Sequence, residues 1–252
     1  MQAPLSGRHA LVTGGSRGIG RAVAAAVTGA GATVTILGRN ESALRSALEQ
    51  KTAAHYVLAD VTRGDECRAA IADAEAKGGP IDVLVANAGG AESAPFAKSE
   101  EQLFRRMIDL NLMSIVHVAQ PVIGGMVARG FGRIVAVASL AGLKGYAYVS
   151  AYCAAKHAAV GLVRAMAAEY ASSDVIINAV CPGYTDTDLV DASVDRIVQK
   201  TGRNREAALA SLLAADAQDR LIAPAEVAAA VMSLCLPDRS ATGEAVPVLG
   251  KK

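Results

Sequence analysis

The sequence of 252 residues has no surplus of charge of either sign: 25 basic and 24 acidic side chains leave a formal net charge of +1. A protein that holds DNA or an anionic membrane through its overall field needs a basic excess, so this balance argues against both partners. Cysteine is sparse and unpaired in pattern. Cys67, Cys153, Cys181 and Cys235 stand apart with no C-x-x-C, which predicts reduced thiols, a cytoplasmic setting, no disulfide and no metal site. Met1 to Gly7 lacks a basic start followed by an apolar run, so no secretory signal is expected. The longest uncharged stretch, 110–128, is broken by Asn111, His117, Gln120, Pro121 and the Gly124-Gly125 pair. It reads as a buried helix and not as a membrane span. No linker, repeat or low-complexity tract divides the chain, so a single domain over residues 1–252 is expected.

What is present is apolar and periodic. Hydrophobic residues make up 52% and charged residues 19%, a composition that buries enough surface to order the chain. Short runs rich in Val, Ile and Leu occur at 10–13, 33–37, 56–59, 83–86, 134–138, 175–180 and 245–249. They show little polar alternation, as strands covered on both faces do. Helical patterns lie between them at 19–30, 41–50 (behind Asn40 as N-cap), 64–77, 100–128 with a bend near Pro121, 151–171 and 224–236. This alternation predicts an α/β fold: a Rossmann-type, doubly wound, seven-stranded parallel sheet with helices on both faces. One stretch departs from it. Residues 182–223 hold a loop and two polar helical pieces, 194–200 and 205–215, and insertions near the carboxyl ends of strands usually build the ligand site.

After the first strand the chain reads Thr13-Gly14-Gly15-Ser16-Arg17-Gly18-Ile19-Gly20. Glycines there allow a tight turn and close approach of backbone to a pyrophosphate, and the helix start adds unpaired N–H groups and partial positive charge. The spacing is G-x-x-x-G-x-G, not G-x-G-x-x-G. An NAD site places Asp or Glu at the end of the second strand for the ribose 2′-hydroxyl. Here that end reads Gly38-Arg39-Asn40. Arg39 and Arg17 suit a 2′-phosphate, because a guanidinium donates in a fixed fork. NADP(H) is therefore the expected cofactor, ahead of NAD(H). Both arginines also fit a solvated surface.

Tyr152 and Lys156 are four residues apart on one helix face, and Ser139 ends the strand before that helix. Reducing a carbonyl needs a proton donor beside its oxygen. A free tyrosine, with pKa about 10, is a poor one near neutrality unless an adjacent ammonium favours the phenolate. Tyr152 is accordingly assigned as acid/base, Lys156 as the group that lowers its pKa and anchors the nicotinamide ribose, and Ser139 as the carbonyl's hydrogen-bond donor.

With Asp60-Val61, Asn87-Ala88-Gly89, Asn111 and Pro182-Gly183 added to these motifs, the chain closely resembles the short-chain dehydrogenase/reductase family in its single-domain form, over nearly its whole length. The resemblance implies that Asp60 and Val61 meet adenine and that Asn87, Ala88 and Gly89 line the cofactor. It implies that Asn111 completes a catalytic tetrad through a water near Lys156, and that Pro182, Gly183 and Thr185 border the nicotinamide. Each alone also fits a plainer role: Asp60 a helix cap, Asn111 a buried polar group, Pro182-Gly183 a turn. Two stretches depart from the family pattern: Ala86 stands before Asn87 where an asparagine is common, and the C-terminus reads Val246-Pro247-Val248-Leu249-Gly250-Lys251-Lys252. The second leaves the packing of the last strand open.

Within the family, GLKGYAYVSAYCAAKH and NAVCPGYTDTDL resemble reductases of 3-oxoacyl thioesters and polyketide ketones. This implies a small carbonyl substrate, free or linked to CoA or a carrier protein, with Tyr146, Tyr148, Val149 and Tyr184 at its mouth and the insert 186–223 as a lid. Lys200, Arg203 and Arg205 either meet a phosphate of that carrier or form a solvated lid surface. A homotetramer is implied, with 100–128 and 151–171 at an interface. The other reading is an NAD-linked dehydrogenase oxidising a secondary alcohol or hydroxyacyl-CoA. His117 and His157 are expected to be packed or surface residues, and Cys153 a small apolar one.

Overall fold

The computed structural model describes residues 3–251. The strands are β1 (His9–Thr13), β2 (Thr33–Gly38), β3 (His55–Leu58), β4 (Ile81–Ala86), β5 (Gly132–Val137), β6 (Val175–Pro182) and β7 (Ala245–Val248); the five inner ones are crowded with apolar residues because both their faces are covered, while the edge strands β3 and β7 are partly exposed. Odd and even positions enter two separate cores. Leu11, Leu84, Ile134 and Ile177 pack on one face against α3 (Gly64–Gly78), α5 (Ser114–Ala128) and α6 (Ser150–Glu169). Val12, Ile36, Val85 and Val135 pack on the other against α1 (Gly18–Gly29), α2 (Glu41–Glu49) and α9 (Pro224–Cys235). All seven strands are parallel, in the order β3-β2-β1-β4-β5-β6-β7. The order reverses between β1 and β4, which opens a crevice at their carboxyl ends.

Local signals explain the element ends. Asn40 Oδ1 accepts from Ala43 N at 3.0 Å and starts α2, and Gly79, at φ +82, ends α3. The expected long helix at 100–128 is two helices, α4 (Glu101–Ile108) and α5, joined by a π-helical turn at Asp109–Met113. The chain stays helical through Pro121, so the interruption lies a dozen residues upstream of the expected bend. Together these helices are long and apolar enough to cross a membrane by length and composition. Ile115, Val118, Val122 and Met126 nevertheless sit in the core. Pro247 is accommodated because β7 pairs with β6 alone and forms the sheet edge. Lys252, the last residue of that unusual stretch, lies outside the described residues. Segment 186–223 carries α7 (Asp188–Thr201) and α8 (Arg205–Ala215). The first starts well before the expected 194.

Candidate active site

The crevice is floored by the glycine-rich turn, and steric limits set its sequence. Gly14 and Gly18 adopt φ +65 and +51. A Cβ on Gly20 would stand 2.2 Å from the Gly14 carbonyl oxygen, so only glycine lets α1 start this close to the turn. Thr13 ties this turn to β4. Its hydroxyl accepts from the backbone N–H of Asn87 and of Ala88, both at 3.0 Å, while Asn87 Nδ2 donates to the Thr13 carbonyl at 2.9 Å. Sequence reasoning passed over Thr13, although it stands directly before the glycines.

These residues fit a dinucleotide. Helix α1 has no side-chain cap and no acidic residue in its first turn, so its leading N–H groups and dipole face the turn, as an anionic pyrophosphate requires. Ser16 is half-buried in the turn and Ile19 packs beneath it. Arg17 and Arg39 are largely exposed and held by single carboxylates, Arg17 by Asp188 at 2.8 Å and Arg39 by Asp60 at 3.2 Å. Burial would raise the Asp60 carboxyl, but hydrogen bonds from Thr62 N and Oγ1 and from Arg39 outweigh it and hold it below the usual range. Val61 beside it is buried, and its carbonyl meets His117 Nδ1 at 2.9 Å. Thr187, which the sequence reading did not single out, lies against the turn: its Cγ2 is 3.3 Å from where a Cβ on Gly18 would stand.

Ser139, Tyr152 and Lys156 come together past the end of β5. Ser139 caps a short 3-10 turn at Leu140–Gly142, its Oγ accepting from Ala141 N at 3.1 Å. A Cβ on Gly142 would meet the Lys156 carbonyl oxygen at 2.7 Å, which shows how closely this turn packs on α6. The Ser139 hydroxyl also favours the ionised form of the Tyr152 phenol. Lys156 shares the helix face of Tyr152, its Nζ 5.8 Å from the centre of the ring. Asn111, buried in the π-helical turn, donates to the Gly90 carbonyl at 2.9 Å and accepts from Gly90 N at 3.2 Å. It stands 2.9 Å, and Lys156 Nζ 3.4 Å, from a Cβ placed on Gly89. The π turn therefore aims Asn111 at the loop after β4.

The electrostatics differ from the simple expectation. Burial pushes the Tyr152 phenol up to about 12, and the Ser139 hydroxyl only partly offsets it. Burial likewise lowers Lys156 to about 8. Its ammonium donates to the Val137 carbonyl at 2.9 Å. The protein alone thus holds a neutral phenol beside a weakened cation.

Pro182 ends β6, and Gly183 N donates to the Val248 carbonyl at 3.0 Å. Thr185 is buried, its hydroxyl donating to the Gly183 carbonyl at 3.1 Å. At the mouth, Tyr148 is exposed at φ +67 and its carbonyl accepts from Ala94 N. Arg205 pairs at the surface with both Asp191 and Asp195, and Lys200 and Arg203 are exposed. His157 Nδ1 contacts the Cys153 carbonyl one turn back, and all four cysteines are free and buried. Among the described residues no cluster of His, Cys, Asp and Glu can hold a metal ion.

The sequence pattern of the short chain dehydrogenase family matches residues 8–197. The acetoacetyl-CoA reductase of Rhizobium meliloti (strain 1021) is 38% identical over 193 residues, 77% of this chain and 80% of that protein. The 3-oxoacyl-acyl-carrier-protein reductase MabA of Mycobacterium bovis is 34% identical over 248 residues, 98% of this chain and 93% of that protein. Among solved structures, an actinorhodin polyketide ketoreductase with NADPH is similar along 99% of this chain and 98% of its own, with a TM-score of 0.92 and 32% identity. With the family pattern running from β1 into α7 and the fold shared end to end with a solved ketoreductase, the chain belongs to the short-chain dehydrogenase family and is an NAD(P)-dependent oxidoreductase.

Proposed function

We propose that this protein uses NADPH to reduce a ketone, a 3-oxoacyl thioester or a related β-keto compound, to a secondary alcohol. The observation that carries this reading is the meeting of Ser139, Tyr152 and Lys156 beside the loop of Asn87, Ala88 and Gly89, at the edge of the β1/β4 crevice. Bound nicotinamide supplies the hydride. Ser139 and Tyr152 donate hydrogen bonds to the substrate oxygen, and Tyr152 delivers the proton that neutralises it. Lys156 anchors the ribose and adds positive charge behind the phenol, while Asn111 fixes the adjoining loop through Gly90. Pro182, Gly183 and Thr185 form the far wall, and segment 186–223 covers the substrate as a lid. The relatives' names, acetoacetyl-CoA reductase and 3-oxoacyl reductase, support the substrate class. The assay is loss of NADPH absorbance with acetoacetyl thioesters, β-keto esters and cyclic ketones. A protein that consumes coenzyme with none of these, yet oxidises secondary alcohols with NAD, would have the other function.

NADP(H) is favoured because no carboxylate ends β2, while Arg39 and Arg17 stand at the cofactor's adenosine end. Their present partners are exposed ion pairs of little strength, which a phosphate dianion displaces. Arg39→Ala should raise the KM for NADPH about tenfold or more, the worth of one charge-assisted hydrogen bond, and leave that for NADH unchanged. Equal use of NADH and NADPH by the unaltered protein contradicts the assignment.

The protein is further read as a cytoplasmic homotetramer. Ile108 on α4 and Val127 on α5 are large apolar side chains left exposed on 100–128, one of the two helical segments expected at the interface. Sedimentation should give about four times the chain mass of 25.7 kDa. A monomer at micromolar concentration refutes it.

A further inference from the structure

The side chain of Asp216, next after α8, is almost fully buried, and the mechanism above does not use it. A carboxylate in such a place is costly unless it is paired and hydrogen-bonded. Here it is both. Its Oδ1 accepts a short hydrogen bond from the Tyr146 hydroxyl and lies 2.9 Å from Lys144 Nζ, which also donates to the Ala215 carbonyl at 2.8 Å. Lys144 and Tyr146 belong to the loop between Ser139 and Tyr152. Oδ2 faces the other way and stands 3.2 Å from where a Cβ on Gly183 would be. One carboxylate therefore joins three segments: the end of the insert, the loop before Tyr152 and the turn after β6.

The neighbours of Asp216 hold it there. Ala217 takes φ +48, and Gln218 N returns to the Leu213 carbonyl. The Gln218 side chain accepts from Tyr184 N at 2.8 Å and donates to the Tyr184 and Arg220 carbonyls. Besides the apolar packing of Val194, Ala208 and Ile222, the insert is fastened by polar side-chain contacts at or near the surface, Arg17 with Asp188 and Arg196 with Ser93. Those give way at little cost. The buried, charge-assisted contact is the strong one.

We propose that Asp216 is a positioning residue that fastens the lid to the substrate-side loop through Lys144 and Tyr146, and so sets how tightly the substrate mouth closes. Lys144 Nζ also lies 4.9 Å from the centre of the Tyr146 ring, so the two loop side chains and the carboxylate form one cluster. The proposal rests on the reading of 186–223 as a lid over a ketone site, so its test includes measurements that need neither substrate nor cofactor.

The chain has six tyrosines and no tryptophan, so tyrosine absorption is unmasked. Asp216→Asn should change the near-ultraviolet difference spectrum, and the change should vanish when made on a Tyr146→Phe background. Trypsin should cut after Lys200 or Arg203 about fivefold faster in Asp216→Asn, as local opening of the lid predicts. With NADPH and an acetoacetyl thioester, KM should rise about tenfold while kcat stays within about twofold, the mark of lost binding and not of lost chemistry. Asp216→Glu should restore part of both effects. Should Asp216→Asn fail to fold, Lys144→Met removes the same ion pair from its more exposed side and should reproduce the tryptic and KM effects. A difference spectrum that persists without Tyr146, or unchanged tryptic rates, overturns the proposal. An unaltered protein that reduces no ketone overturns the functional reading instead, and leaves the spectral and tryptic results to judge Asp216.

Discussion

Replacing Tyr152 with Phe should lower kcat about a thousandfold while changing NADPH affinity less than about threefold, because general acid catalysis is what the substitution removes. Tyr152 is half-buried, and the Ser139 hydroxyl is the neighbour that favours its ionised form. No bond to the glycine-rich turn, to Asn87 or to Arg39 depends on it, so the adenosine and pyrophosphate contacts stay in place. Fold stability should drop by about 1 kcal/mol, the worth of one neutral hydrogen bond. Stopped-flow rates and equilibrium titration of NADPH fluorescence separate the two effects. Turnover retained within tenfold would assign the proton to another group.

Lys156→Met should abolish turnover and at the same time stabilise the fold. Burial lowers Lys156 from an ordinary 10.5 to about 8, and its ammonium has one recorded hydrogen bond, to the Val137 carbonyl. Since the folded state disfavours the charged form, the lysine weakens the fold wherever it is charged in the unfolded chain. That cost is present in full below about 8 and disappears above about 10.5. At about 1.4 kcal/mol per pH unit it amounts to roughly 3 kcal/mol. Loss of the bond to Val137 offsets about 1 kcal/mol. The variant should therefore gain about 2 kcal/mol at pH 7, a Tm rise of about 5 °C, and the gain should fade as pH passes 10. Calorimetry at both pH values reads this directly. A variant that is less stable than the parent at pH 7 would mean that Lys156 is held by more than burial and one carbonyl.

Such opposition between stability and chemistry is expected where a charged group is buried for use. It also explains why the structure's own electrostatics look unfavourable. A phenol near 12 beside a lysine near 8 is what burial does to a phenol and an ammonium held side by side.

Much of the fold was legible because its signals are local. Seven apolar runs without alternation gave seven strands, of which the edge strands β3 and β7 are partly exposed, and Asn40 capped its helix as its residue type predicts. The catalytic trio was legible for the same reason: a helix places residues four apart on one face, and a strand end precedes it. What was not legible depends on contacts between distant residues. No pattern in 100–128 distinguishes a π-helical turn at Asp109–Met113 from continuous helix, because its cause is the pairing of Asn111 with Gly90. The pairing of Arg205 with Asp191 and Asp195 was likewise not written in any local pattern. Asp216 carried no signal at all, since Tyr146 is 70 residues away.

The most direct test of the central claim uses NADPH carrying deuterium at its hydride position. With an acetoacetyl thioester, mass spectrometry should find one deuterium on the carbinol carbon of the product, and Tyr152→Phe should yield almost none in the same time. Product without deuterium, or no product while the coenzyme is bound, would contradict ketone reduction at this site.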